Sequence, residues 1–158
     1  MTGPNIDYGA VYRQLPVPVV LLTPEFAVAD ANQAFLRSAG RRREELLGRN
    51  LFEVFPEDRS DPGATGVRNS VASLRRVLAT GEPDAMEFQK YEVEVPGSPG
   101  VFARHYWSGV NAPVFDPGGS IVLIAHIGED VTDRMSRFMS ALEADAIHEP
   151  PGSWHRRG

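Results

Sequence analysis

The 158-residue chain contains no cysteine. That absence removes disulfide scaffolds, thiolate metal sites, cysteine nucleophiles and cysteinyl chromophore adducts together. Positive charge is in the minority. Sixteen Lys and Arg stand against 21 Asp and Glu, a formal net charge of −5, so nothing draws the chain onto nucleic acid or an anionic membrane. Long apolar runs are also missing. The longest near the N-terminus, Val17 to Leu22, is interrupted by Pro18 and falls far short of the ~20 residues a membrane-crossing helix needs. Met1-Thr2-Gly3-Pro4-Asn5 shows neither the basic nor the apolar stretch of a leader. The expectation is a cytoplasmic protein with no nucleic-acid and no membrane partner.

What is present is ordinary globular composition, 42% hydrophobic and 23% charged. The length suits one domain with a core that needs no metal or disulfide staple. There is no internal repeat and no low-complexity tract. The 15 glycines and 13 prolines concentrate between regular segments, as punctuation.

Asp7 to Leu15 predicts an amphipathic helix with Ile6, Ala10 and either Val11 or Leu15 on one face. Val17 to Thr23 reads as a buried strand, and Thr23-Pro24-Glu25-Phe26 turns it into a second strand at Ala27 to Ala31. Asn32 suits the N-cap of a helix over Gln33 to Ala39, closed by Gly40. Arg43 to Leu47 is a helical turn ended by Gly48, and Leu51 to Phe55 an apolar piece stopped by Pro56. Beyond a polar loop, Val67, Val71, Leu74 and Leu78 mark a helix ended by Gly81. Strands follow over Met86 to Val95, Val101 to Val114 and Ile121 to Ile127. Asp130-Val131-Thr132-Asp133 starts a last helix striped by Met135, Phe138, Met139 and Leu142. Pro150-Pro151 then opens an irregular tail. Hairpin-length turns make the last three strands a meander, and the first hairpin joins them because two strands alone are barely stable. The expected fold is α+β: a five-stranded antiparallel sheet with short helices packed on one face.

A two-residue loop after Asp116 would pair Asp116 with Gly119, Pro113 with Val122, Asn111 with Ile124 and Gly109 with His126. One face then collects His105, Trp107, Gly109, Asn111, Pro113, Val122, Ile124, His126 and Gly128. The other collects Tyr106, Ser108, Val110, Ala112, Val114, Ile121, Leu123, Ala125 and Ile127. Both faces are apolar, so both need cover. Val110, Ala112, Leu123 and Ile127, with Met135, Phe138 and Leu142, suit isologous pairing, and a homodimer is expected.

The polar residues have plainer roles. Glu92 and Glu94 alternate with Tyr91 and Val93 as an exposed strand face. Arg41-Arg42-Arg43 reads as a solvated helix start beside Glu44 and Glu45. Asp130 and Thr132 carry side chains that can cap the first turn of the last helix. His105 and His126 have no carboxylate obviously joining them, and a metal site needs three or four convergent ligands, so no metal is expected.

The element order and several segments resemble PAS domains. Ala29-Asp30-Ala31-Asn32-Gln33-Ala34-Phe35 resembles the family's second strand entering its first helix, and Glu44-Glu45-Leu46-Leu47-Gly48-Arg49 its EELIGR segment. Trp107 to Val114 resembles the long fourth strand, and Glu129-Asp130-Val131-Thr132-Asp133 the Asp-x-Thr link to the exit helix. Leu51 to Pro56, Asp61 to Gly66 and Val77 to Gly81 resemble a bacterial subgroup often found ahead of histidine-kinase or other signalling modules, as in two-component systems. The resemblance runs from about Leu15 to Asp133. Two places depart from the subgroup: Gly109 stands where a proline is expected, and Ile127-Gly128 replaces a basic-aliphatic pair. No kinase signature follows.

The resemblance implies an N-terminal cap over 1–15, a PAS domain over 16–131, an exit helix over 132–147 and a disordered tail over 148–158. It directs the face of His105, Trp107, Asn111 and His126 toward the helices, where the family holds ligands. The implied pocket residues are Phe52, Phe55, Leu74, Trp107, Asn111, Ile124 and His126, and the implied signalling junction is Asp130 with Thr132. The cofactor is unknown. A flavin photoadduct needs a cysteine, and there is none. Haem commonly takes a histidine from the long helix, but Val67 to Thr80 has none, which leaves haem on His105 or His126 as an unusual arrangement. The expected function is a non-enzymatic sensory and dimerisation module. It senses a small molecule, or none, and transmits through the exit helix to a histidine kinase or another effector. Two alternatives are a haem-based gas or redox sensor and a small cone-shaped α+β enzyme with a His/Asp pair in an apolar pocket. Cone-shaped folds usually begin with helices, whereas this chain leads with a hairpin and keeps its helices in the middle.

Overall fold

The computed structural model describes residues 3–148 other than residue 64, with backbone alone at 87–91, 93 and 146–148. Chain order is α1 (Tyr8–Gln14), β1 (Val19–Leu22), β2 (Val28–Ala31), α2 (Gln33–Ala39), α3 (Arg43–Leu46), α4 (Leu51–Val54), α5 (Gly66–Thr80), β3 (Asp84–Glu94), β4 (Phe102–Phe115), β5 (Ile121–Asp130) and α6 (Thr132–His148). The strands form one antiparallel sheet in the order β2-β1-β5-β4-β3. The first hairpin thus joins the meander by pairing β1 with β5.

Asn32 organises the first half of the chain. It is fully buried. Its Oδ1 accepts from Phe35 N–H (2.9 Å), capping α2, and from Val19 N–H (3.0 Å) of β1, while its Nδ2 donates to the Val17 carbonyl (2.8 Å). One side chain therefore ties the start of α2 to the strand beside it. Gly40 closes α2 at φ 62° and Gly81 closes α5 at φ 67°, a left-handed conformation that strains any side-chain-bearing residue. The core lies between the sheet and α2–α5. Val20, Leu22 and Ile124 meet Phe35, Leu46, Leu51, Val54, Leu74 and Val77 there.

The β4–β5 register differs from the two-residue-loop expectation. Asp116 N–H donates to the Ser120 carbonyl (2.9 Å), so the loop is longer, and Asn111 pairs with His126, Gly109 with Gly128 and Pro113 with Ile124. The displacement is even, so inward residues stay inward. The exception is a bulge at Val114/Phe115. It turns Ile121 onto the core and leaves Val122 exposed (42%), the reverse of their expected sides. β5 also runs past Ile127 to Asp130.

Three polar details also correct the sequence reading. Arg43 does not simply face solvent: its Nε donates to Asp30 Oδ1 (2.8 Å), and Arg41 sits over the Phe55 ring. Glu92 is largely covered because its cross-strand partner Arg104 reaches it (3.4 Å), and Glu94 accepts from Gly100 N–H (2.8 Å). No residue of α1 is buried, and Ile6, Val11 and Leu15 remain exposed. The helix rests on α2, with Tyr12 held toward Asp30; burial first, then that carboxylate, pushes the phenol well above its ordinary range. Among the described residues no helix is long and apolar enough to cross a membrane. Past His148, the expected disordered tail lies outside the described residues, as do Met1 and Thr2 of the expected cap.

Asn32→Ala removes the α2 cap, leaves the buried Val19 N–H unpaired and takes the partner from the more exposed Val17 carbonyl. It is expected to cost ~3 kcal/mol, read as a lower urea midpoint at an unchanged denaturant slope. A loss within ~0.5 kcal/mol would show that water replaces the amide.

Candidate functional site

Between the sheet and helices α2, α4 and α5 lies a cavity of about 390 Å³. Its walls are mainly apolar: Phe35, Leu51, Phe52, Phe55 and Leu74 from the helices, Met86 and Trp107 from the strands. Ser70, His105 and His126 add a few polar groups. A volume in the range of ~300–1,000 Å³ with sparse polar groups is the character of small-molecule sites. Of the expected pocket residues, Phe52, Phe55, Leu74, Trp107 and His126 line the cavity, whereas Asn111 and Ile124 do not. Both are fully buried: Ile124 within the core, Asn111 hydrogen-bonded behind His126. Trp107 is half-buried. The stretches from Arg37 to Gly40 and from Glu94 to Pro96 also line the cavity. Neither carries a periodic signal that marks it in the sequence.

Asn111 belongs to a chain of hydrogen bonds running from the surface to the cavity. Arg76 grips Asp84 through Nε (3.0 Å) and Nη2 (2.8 Å). The Ser73 hydroxyl donates to Asp84 Oδ2 (2.5 Å), and Asn111 Nδ2 donates to Ser73 Oγ (2.8 Å). His126 Nδ1 lies 2.6 Å from Asn111 Oδ1. Arg76, then Ser73, hold the Asp84 carboxyl below its usual range. Burial drives His126 down to about 4, so its imidazole is neutral.

The junction with the exit helix is more than a cap. Asp130 Oδ1 accepts from Thr132 N–H (2.9 Å) and so serves the first turn of α6. Thr132 does not cap the helix as expected. Its hydroxyl donates to Asp130 Oδ1 and accepts from Tyr106 N–H (2.9 Å) of β4. Val131 N–H donates to the Tyr106 carbonyl (2.7 Å), and His105 Nδ1 lies 2.7 Å from Asp130 Oδ2. Burial would raise Asp130, but Thr132 and His105 hold it below the usual carboxylate range. In sequence Asp130 is a helix cap; in the structure it is also the carboxylate partner of His105. Among the described residues no three His, Asp or Glu converge as a metal would require.

On the opposite face of the sheet, Val110 is exposed, and Ala112, Leu123 and Ile127 are half-buried. Along α6, Met135 is half-buried while Phe138 (59%) and Leu142 (49%) stand exposed.

The model of the family described as "PAS fold" matches residues 12–136. No curated protein matches the chain. Among solved structures, the VqmA dimer of Vibrio cholerae, named among LuxR-type receptors with a DNA-binding mechanism, is 24% identical at a TM-score of 0.59, covering 84% of this chain and 53% of that one. An RNA-binding light-oxygen-voltage receptor is 19% identical at 0.64, covering 93% and 41%. The PAS domain of nitrogen regulation protein NR(II) from Vibrio parahaemolyticus is 12% identical at 0.57, covering 80% and 99%. The chain thus spans about half the length of the first two. Their names mention DNA and RNA, so the expectation of no nucleic-acid partner finds no support in them.

Neutral His126 has a pH consequence. Its imidazole binds a proton near 6.5 when unfolded and near 4 when folded, so the unfolded chain holds more protons between those values. Stability should fall as pH drops from about 6.5 to about 4, by up to ~3 kcal/mol. Urea unfolding across that window should show the fall in wild type and a flatter profile in His126→Gln. An equally steep profile in the variant would assign the dependence to another group.

Proposed function

The chain belongs to the PAS family, and from that premise we propose that it is a sensory and dimerisation module without enzymatic activity of its own. A small molecule occupies the cavity, and its presence is passed to α6. The observation that supports this reading is the placement of His105. It lines the cavity beside Trp107, with ring centroids 6.3 Å apart, and its other contact is Asp130 at the start of the exit helix. A ligand that moves Trp107 or His105 thus acts on the clamp that holds α6 to β4. Signalling by this route needs two populated arrangements of the junction whose balance the ligand biases. The effector is a histidine kinase or another output module.

The outer apolar face and the α6 stripe support a homodimer, since isologous pairing would bury Val110, Leu123, Phe138 and Leu142 together. The cone-shaped enzyme reading is set aside with the family membership. Among the described residues, the His/Asp pair it could use, His105 with Asp130, is occupied at the junction.

Native mass spectrometry of the purified protein reads occupancy and assembly together. A dimer carrying retained small-molecule mass is expected, and Leu123→Glu should return it to monomer. A wild-type monomer at high micromolar concentration removes the dimer, and a dimer indifferent to Leu123→Glu places the interface elsewhere. For the route, Asp130→Ala with Thr132→Ala ahead of a reporter kinase should abolish the response to stimulus. Unchanged output from a folded variant would reduce the junction to a static cap.

A further inference from the structure

Resting on the ligand-holding reading above, we propose that the cavity takes an uncharged, largely apolar molecule that donates one hydrogen bond, from a hydroxyl or N–H group, to Nε2 of His126. The inference follows from the polarity of the buried hydrogen-bond chain, which is set from its surface end. The Asp84 carboxylate, held by Arg76, can only accept. The single proton of the Ser73 hydroxyl therefore goes to Asp84, and Ser73 Oγ must accept from Asn111 Nδ2. That fixes the amide orientation. Asn111 Oδ1 then faces His126 Nδ1 at 2.6 Å and needs a donor, so Nδ1 carries the imidazole proton. In a neutral ring the other nitrogen is then an acceptor. Nε2 has no partner among the described residues, and His126 lines the cavity.

The sequence keeps this nitrogen open. A Cβ on Gly128 would lie 3.1 Å from His126 Nε2 and 3.7 Å from Trp107 Cε3. Gly128 does not have a positive φ, so its backbone places no demand for glycine. Its cross-strand partner is Gly109, where a Cβ would lie 3.0 Å from the Ile127 carbonyl oxygen. These paired glycines are two of the positions at which the sequence departs from its subgroup's pattern, and together they clear the space beside the ring. Burial opposes protonation of His126. A carboxylate has no proton to give to Nε2, and the neutral imidazole offers it no counter-charge for the water it loses.

Matched probes test the donor. Indole and benzothiophene share a bicyclic shape, but only indole has an N–H; phenol and toluene form a smaller pair. By calorimetry near neutral pH, each donor probe should bind wild type roughly tenfold tighter than its partner. In Gly128→Ala the preference should vanish, because the methyl group closes the approach to Nε2. Long-range proton–nitrogen correlation on wild type needs no variant. It should show the Nδ1–H tautomer of His126 in the free protein, and an Nε2 resonance that moves with indole but not with benzothiophene. Equal affinities within both pairs, a preference retained by Gly128→Ala, or an Nε2–H tautomer would overturn the donor assignment while the ligand-holding reading stands. If no probe binds, that reading falls and takes this inference with it.

Discussion

The buried hydrogen bond between His126 and Asn111 lies in a row that crosses the whole sheet. Ala31, Val20, His126, Asn111 and Asp84 are successive cross-strand partners on β2, β1, β5, β4 and β3. At the centre and far end of that row, the polar side chains meet Ser73 of the long helix. A one-residue slip of β4 or β5 would turn Asn111 or His126 to the outer face and leave the remaining groups unpaired, at ~1–3 kcal/mol each. The row therefore fixes strand register, and with it the position of every residue that lines the cavity from the sheet side. It also anchors α5 over β4, the two elements that contribute Leu74 and Trp107 to the cavity lining.

β4 carries most of the consequences. Within a few residues it supplies His105 and Tyr106 to the exit junction, Trp107 and Ser108 to the cavity wall, Gly109 to the space beside the imidazole, and Asn111 to the polar row. Strand alternation explains how one segment serves both ends. Odd-numbered side chains point into the cavity layer, while the backbone of Tyr106 remains free to hold Val131 and Thr132. Cavity and helix are thus neighbours along one strand, with no long relay between them.

Much of this architecture was legible because it depends on local rules. Asn32, Gly40 and Gly81 stand where helix ends need a cap or a left-handed residue, and the structure uses them so. The facing of β4 and β5 was legible despite the wrong partners, since an even displacement preserves alternation. Ile121 and Val122 exchanged sides because a bulge depends on loop geometry, which apolar pattern does not encode. Ser73 and Asp84 carry no sign in the sequence that they belong to the polar chain. Ser73 looks like an ordinary small helix residue and Asp84 like a turn residue, and only tertiary packing brings them to Asn111. Thr132 carries the right side chain for a cap, but the competing Tyr106 amide is reached only once β4 lies alongside.

The pairing of β1 with β5 has a consequence in time. Val20 finds His126 roughly a hundred residues later in the chain, so closing this contact requires a long loop to be ordered first. During synthesis the first hairpin emerges with one β1 edge unpaired, and it stays so until nearly the whole domain has left the ribosome. The central strand of the finished sheet is the last to be made. The sheet therefore cannot close, nor the polar row reach across it, until the strand that carries the imidazole has been made.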